Sequence, residues 1–340
     1  MNIVYLASSF FITGISLLAL RPIAIKVGLV DLPGGRKTHI NATPLVGGLG
    51  IFLGIFCISV FTPGLVSEFG SLLSLSALVL FMGTVDDAKE LTPNVRMTGH
   101  GLVALAMAVV AEIQLNSLGD LFYLGGIKLG VFAIPFTIFA TVGVINAINM
   151  ADGIDGLSGG LVIVALGFIA LLSFENGEFA TSSFIVVVVC SIMAFLSMNF
   201  RRPWHKKALV YLGDAGSTML GFMLAWLLID NSQGDTASFK PVYALWFLAV
   251  PLFDTVNLLI KRPLRGISSF TPGTDHLHHN LLSRGYSVEQ VVAILIGTSV
   301  LFGAIGLTGF YLGANEAFMF QLFVALFALY FIFSERIKAS

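Results

Sequence analysis

The stretch NMADGIDGLSGGLVIVALGFIALLSF, residues 149–174, sets two acids in a glycine-rich loop and follows them with a run, 157–174, that carries no charged side chain. As a helix rising 1.5 Å per residue, a run of that length crosses most of the roughly 30 Å of hydrocarbon in a bilayer. Outward from it, runs of the same kind recur near 3–20, 45–62, 69–85, 99–116, 130–148, 181–198, 215–230, 241–260, 289–311 and 314–334, eleven in all. They are continuously apolar and lack the period-two alternation of barrel strands, so helices are predicted and a β-barrel is excluded. Composition agrees. Of 340 residues, 56% are hydrophobic and 11% charged, where a soluble domain would carry about a quarter charged.

Orientation follows from the basic residues. No Lys or Arg precedes the first run, and Arg21, Lys26, Arg36 and Lys37 follow it, the reverse of a secretory signal. It is expected to remain as a helix with its amino terminus outside. Alternating sides from there leaves only Lys128 and Lys240 outside and the other 16 of the 18 Lys and Arg residues inside, as the positive-inside rule requires. The expected fold class is an all-α polytopic membrane protein with about 11 transmembrane helices. Its amino terminus is periplasmic, its carboxy terminus cytoplasmic, and residues 1–340 form one integral-membrane domain. Leu121 to Gly130, with Gly125-Gly126 between β-prone runs, reads as a small outer hairpin. A net charge of −1, with its basic residues spread as orientation signals, points to no nucleic-acid partner. Cys57 and Cys190 sit inside apolar runs and imply no disulfide.

The same map gathers all six histidines (His39, His100, His205, His276, His278, His279) on the inner side, with Asp86, Asp87, Asp152, Asp155, Asp214 and Asp275. Four constellations there could carry chemistry. In VDDAKE (85–90), neighbouring carboxylates about 5–6 Å apart repel by roughly 3 kcal/mol at an effective dielectric of 20. Asp86-Asp87 with Glu90 thus invites a divalent metal or proton transfer, or else is a solvated helix end answering Lys89. In NMADGIDGLSGG (149–160), glycines let the backbone approach a ligand, while Asp152 and Asp155 can take a metal or the donors of a nucleoside. In YLGDAGS (211–217), Asp214 is an N-cap or a ligand of Mg²⁺ facing phosphate, and the Tyr211 ring can stack on a base.

The fourth is the loop from Lys261 to Tyr286, with KRPLRG and DHLHH. Arg262 and Arg265 either anchor the inner face or bind a pyrophosphate in a forked manner. Asp275, His276, His278 and His279 are cramped for zinc and have no Cys partner, so contact with phosphates or sugar is preferred. Asp254, about two turns inside the inner end of the ninth run, is a functional candidate by its depth. Glu112 and Asp230 lie near outer helix ends and are expected to snorkel.

Together with GRKTHINATPLVGG (35–48), these motifs in this order and spacing resemble the polyprenyl-phosphate N-acetylhexosamine-1-phosphate transferases over essentially the whole chain. The RKTH…PLVGG opening is closer to the WecA-type branch, which transfers GlcNAc-1-phosphate to undecaprenyl phosphate, than to the MurNAc-pentapeptide transferases. The sequence ends at Ser340 without the long basic tail of some members.

The resemblance implies a reaction of UDP-GlcNAc with undecaprenyl phosphate at the cytoplasmic face of a bacterial inner membrane. It would release UMP and serve the first membrane step of O-antigen or related polysaccharide synthesis. Mg²⁺ is the implied cofactor, with Mn²⁺ as a substitute, and a homodimer is compatible with the family. By the resemblance Asp86 deprotonates or positions the lipid phosphate, with Asp87 beside it near the metal, and Asp214 is the metal ligand. Asn149, Asp152, Asp155, Asn199 and Tyr211 hold the uridine. Arg262, Arg265, His276, His278 and His279 close on the sugar and pyrophosphate.

Direct attack by the lipid phosphate and a two-step route through an aspartyl nucleophile both stay open. So do another UDP-N-acetylhexosamine as donor, a UbiA-like prenyltransferase, and a sugar- or lipid-phosphate transporter. Against the prenyltransferase, the acids lie in a glycine-rich loop where helices are wanted; against the transporter, no broken span is evident in the sequence.

Overall fold

The computed structural model describes residues 3–31, 42–201, 207–268 and 273–337. Arg36, Lys37, His39, Arg202, His205, Lys206, Lys338 and the side chain of Arg336 lie outside that description. In chain order the elements are α1 (Ile3–Val27), β1 (Val30–Asp31), β2 (Thr43–Pro44), α2 (Gly47–Phe61), α3 (Leu65–Lys89) and α4 (Pro93–Val109). A short 3-10 turn, Gly130–Phe132, leads into α5 (Ala133–Met150), followed by α6 (Leu157–Glu175), α7 (Phe179–Asn199) and α8 (Gly213–Asp230). The chain continues with α9 (Pro241–Phe247), α10 (Ala249–Leu264), α11 (Leu277–Ser283), α12 (Val288–Tyr311) and α13 (Glu316–Ile337).

Every apolar run read from the sequence falls on a helix, and the chain is an all-helical polytopic membrane protein. Among the described residues seven helices are long and apolar enough to cross a membrane, and an eighth is reached if α9 and α10 together make one span. The expectation of an unbroken ninth run is corrected here: α9 and α10 meet at 86°. Pro251 supplies the reason. It has no N–H to donate to the carbonyl of Phe247, and its ring clashes with that carbonyl, so the helix ends at Phe247 and restarts. The fourth run also stops early, since α4 ends at Val109 and Glu112 follows with φ +59°. The outer hairpin is wider than expected. Ser117 pairs with Lys128 in one antiparallel bridge, Leu118 N–H donates to the Ile127 carbonyl and Ile127 N–H to that of Gly119, both at 2.9 Å.

Helix α8 is the axis of the bundle. Every residue from Ala215 to Ile229 is buried, and α2, α3, α5, α6 and α9 surround it. Such enclosure needs close backbone approach, which small residues permit between membrane helices. A Cβ on Gly48 would stand 2.4 Å from the Gly216 Cα, and one on Gly83 2.4 Å from the Ala215 Cα. The outermost helices do the opposite: α1 exposes Phe11, Ile15, Leu18 and Ile23, an apolar surface suited to lipid. Near the start of α8, β1 pairs antiparallel with β2, and Leu45 forms a parallel bridge with Tyr211. The Gly47 N–H donates to the Tyr211 carbonyl at 2.9 Å, so the α8 entrance is tied to α2.

Candidate active site

The ends of α3 and α5 and the starts of α4 and α8 bring four segments of sequence to one place. Asp87, at the end of α3, faces the start of α8: its Oδ1 accepts the Asp214 N–H at 2.8 Å and its Oδ2 the Ala215 N–H at 3.1 Å. It caps a helix from a distant part of the chain, satisfying two of the four N–H groups left open at a helix start. Gly213 has φ +75°, and a Cβ there would lie 2.5 Å from Asp87 Oδ2, so both backbone conformation and space call for glycine.

Asp86 turns toward α4. Its Oδ1 accepts the Leu91 N–H at 2.7 Å and its Oδ2 the Arg96 Nη1–H at 3.1 Å. The same Arg96 nitrogen reaches Asp214 Oδ2 at 3.2 Å. Asn149, near the end of α5, donates from Nδ2 to Asp214 Oδ1 at 2.8 Å and to Ser217 Oγ at 2.9 Å. The Asp86 side chain is 5% exposed and that of Asp214 38%, so of these two acids Asp214 is the one open to a ligand.

The loop between α5 and α6 runs alongside. Burial pushes the Asp152 carboxyl well above the usual carboxylate range, and the neighbouring charges of Asp214, Asp87 and Asp155 push it further. Asp155 is paired with Arg201, Nε to Oδ2 at 2.5 Å. Asn199 is buried and turned to the backbone: its Oδ1 accepts the Gly156 N–H at 2.6 Å and its Nδ2 donates to the Val210 carbonyl at 2.9 Å. It therefore sets the course of the two segments that carry Asp155 and Tyr211. Burial, followed by the charge of Asp155, raises the Tyr211 phenol, which stays protonated.

The histidine segment reaches the same loop from the other side. A Cβ on Gly153 would lie 2.2 Å from His278 Nε2, so this glycine makes room for the ring. His278 is buried, its Nε2 has no hydrogen-bond partner among the described residues, and burial lowers its pKa to about 3. Burial and the neighbouring His276 lower His279 as well. His276 sits 2.9 Å from Asp254, Nδ1 to Oδ2. Arg262 is buried and grips Asp275 with two bonds, Nε to Oδ2 at 3.2 Å and Nη2 to Oδ1 at 2.6 Å. Burial alone would raise Asp275, but this guanidinium outweighs it and holds the carboxyl below its ordinary value. Arg265 is exposed where α10 ends.

The structure thus joins Asp86, Asp87, Asn149 and Asp214 in one hydrogen-bonded mesh and sets the Asp152–Asp155 loop between that mesh and the histidines. Sequence reasoning missed Arg96, Arg201 and Ser217. The two arginines were absorbed by the positive-inside pattern, which accounts for an inner basic residue whatever it touches. Ser217 lay inside a motif whose acid drew the attention.

Residues 69–232 match the family described as glycosyl transferase family 4. Among curated proteins, the undecaprenyl-phosphate alpha-N-acetylglucosaminyl 1-phosphate transferase of Yersinia pestis is 35% identical over 91% of this chain and 85% of its own length. The proteins of the same name from Escherichia coli K12 and Salmonella typhi are 35% and 34% identical, each over 96% of this chain and 89% of their own. Similarity of that depth over nearly the full length of both partners, spanning the helices that build the mesh, shows that this chain belongs to glycosyl transferase family 4.

Proposed function

We propose that this protein transfers GlcNAc-1-phosphate from UDP-GlcNAc to undecaprenyl phosphate, releasing UMP and forming undecaprenyl-pyrophosphate-GlcNAc. The observation that carries the reading is the exposed carboxylate of Asp214, held by Asn149 and Arg96 beside the acid pair of α3, in a chain whose relatives bear that activity in their names. We place the site on the cytoplasmic face of a bacterial inner membrane. In this reading the eleven apolar runs traverse the bilayer with the amino terminus outside, and the product enters O-antigen or related polysaccharide synthesis.

In the reaction a lipid-phosphate oxygen attacks the β-phosphorus of the donor, and the bond to the bridging oxygen breaks with its electron pair leaving on UMP. A phosphate monoester has its second pKa near about 6, so the nucleophile is mostly dianionic at neutral pH and needs little help from a base. Asp86, buried and already accepting from Leu91 and Arg96, suits the orienting role: it aims Arg96, whose guanidinium can take an incoming phosphate oxygen. Asn149 and Ser217 set the angle of Asp214, and Asp87 holds the helix start from which it projects. Gly153 and Gly156 let the loop backbone approach the nucleotide, with Asp152, Asp155 and Tyr211 on the uridine. Arg262, Arg265 and the three histidines close over the sugar and diphosphate.

The donor set fits Mg²⁺. Among the described residues no three His, Cys, Asp or Glu side chains gather into a metal cage, and Mg²⁺ is commonly held by one or two carboxylates together with substrate phosphate and water. Asp214 would hold it, and when bound it would neutralise charge growing on the diphosphate oxygens. The test mixes purified protein with undecaprenyl phosphate, Mg²⁺ and radiolabelled UDP-GlcNAc. Expected are UMP and lipid-phase label in equal amounts, both abolished by EDTA and restored by Mg²⁺. Label moving only from UDP-GalNAc would change the donor, and pyrophosphate release would overturn the reaction class.

A further inference from the structure

The break in the ninth run leaves one acid, Asp254, just inside α10 and 8% exposed. Groups from two other segments converge on it. Its Oδ1 accepts the Leu277 N–H at 2.9 Å, its Oδ2 lies 2.9 Å from His276 Nδ1, and Tyr330 of α13 lies close to the same carboxylate. His276 is the N-cap residue of α11 and Leu277 its first residue. One carboxylate therefore holds both the backbone at the start of that helix and the ring of its N-cap residue. The adjacent Asp275 is gripped by Arg262, so α10 fixes residues 275, 276 and 277 in succession. The His276 ring lies parallel to His278, centroids 5.5 Å apart at 14°, which packs its setting against the rest of the segment.

A carboxylate oxygen only accepts, so the short Oδ2 contact requires a proton on Nδ1, and a ligand then reaches this imidazole through Nε2. We propose that Asp254 is a positioning residue for the transfer: it keeps the His276 proton on Nδ1 and presents the Nε2 lone pair, a hydrogen-bond acceptor, to a hydroxyl of the donor's sugar, with Tyr330 supporting the carboxylate from the last helix. The proposal rests on the function argued above for its substrate, and on the observed contacts for the state of the ring.

Asp254→Asn tests it sharply. With the Leu277 N–H demanding the amide oxygen, the amide nitrogen faces His276 Nδ1 and donates to it, which drives the ring proton to Nε2. Nitrogen NMR of histidine-labelled protein, assigned with His276→Gln, should show the proton on Nδ1 in the wild type and on Nε2 in Asp254→Asn. Turnover should fall on the order of 100-fold with an unchanged melting temperature. In a His276→Ala background the same substitution should change turnover less than about twofold, because the group through which it acts is gone. An equal loss in both backgrounds, or a wild-type proton on Nε2, overturns the proposal.

If Asp254→Asn does not fold, Tyr330→Phe keeps the carboxylate and should cost several-fold in turnover, again only when His276 is present; a loss independent of His276 overturns the proposal equally. Should the wild type move label from no UDP-sugar, the function above fails, while the NMR arm still decides the role of Asp254.

Discussion

The two ends of the helix bundle use polar groups in opposite ways. At the end that holds Gln233 and Glu316, contacts close loops one by one. Gln233 accepts the N–H groups of Asn116 and Ser117, Asn176 donates to the Thr236 carbonyl, Ser173 donates to Asn231, and Lys240 pairs with Glu316 at 2.6 Å. At the other end Asp86, Asp87, Asp152, Asp155 and Asp214 crowd together, and their direct ion pairs among the described residues come from Arg96 and Arg201 alone. At the first end neutral amides and hydroxyls with one ion pair close the loops, and three carboxylates, Glu68, Glu178 and Asp230, repel one another there, against five at the second. An end that concentrates carboxylates against their mutual repulsion keeps an excess of negative charge that a cation and its phosphate ligands can relieve.

The comparison is broken most directly at Asp214. Asp214→Asn should lower turnover on the order of 10³-fold while the melting temperature holds, because the amide keeps the shape and loses the charge. Full activity of that variant would remove the site from the end of α8. Asp87→Ala should strike both activity and stability, since it removes the carboxylate that caps α8. About 1–2 kcal/mol of stability is expected to go with the cap, with a rate loss on the order of 100-fold from the displaced Asp214. Thermal melts and turnover on the same sample check the pair.

His278 sharpens the comparison through pH. Its folded pKa of about 3 lies below the ordinary 6.5, so between those values the unfolded chain binds a proton that the folded chain refuses. Stability should therefore fall as pH drops through 6.5 and level off only near 3. The melting-temperature drop from pH 7 to pH 5 should be smaller in His278→Gln. The smallest effect belongs to the opposite end. Lys240 is 65% exposed, and Lys240→Ala should cost at most about 1 kcal/mol and leave turnover within twofold, a result that larger losses in a UMP-release assay would contradict.

Most of the helices were legible because the bilayer imposes a length and a polarity that individual residues cannot evade. The exception was at Pro251, whose consequence for the Phe247 carbonyl was written in the sequence but hidden by an apolar run that reads as continuous. The acids of the site were legible as well, being charges placed among glycines. Their division of labour was not. Asp87 and Asn199 spend their hydrogen bonds on backbone belonging to other helices, and Arg96 bridges two acids 128 residues apart in sequence, Asp86 and Asp214.

By itself the sequence determined the helical membrane class and the family its motifs resemble, because hydrophobic length and motif order are properties of the chain in one dimension. Only the tertiary structure decided which acid caps α8, which is open to a ligand, and which holds the histidine segment. Those roles depend on which backbone N–H stands within 3 Å of each carboxylate, and that distance exists only after the helices have packed through Gly48, Gly83 and Gly216.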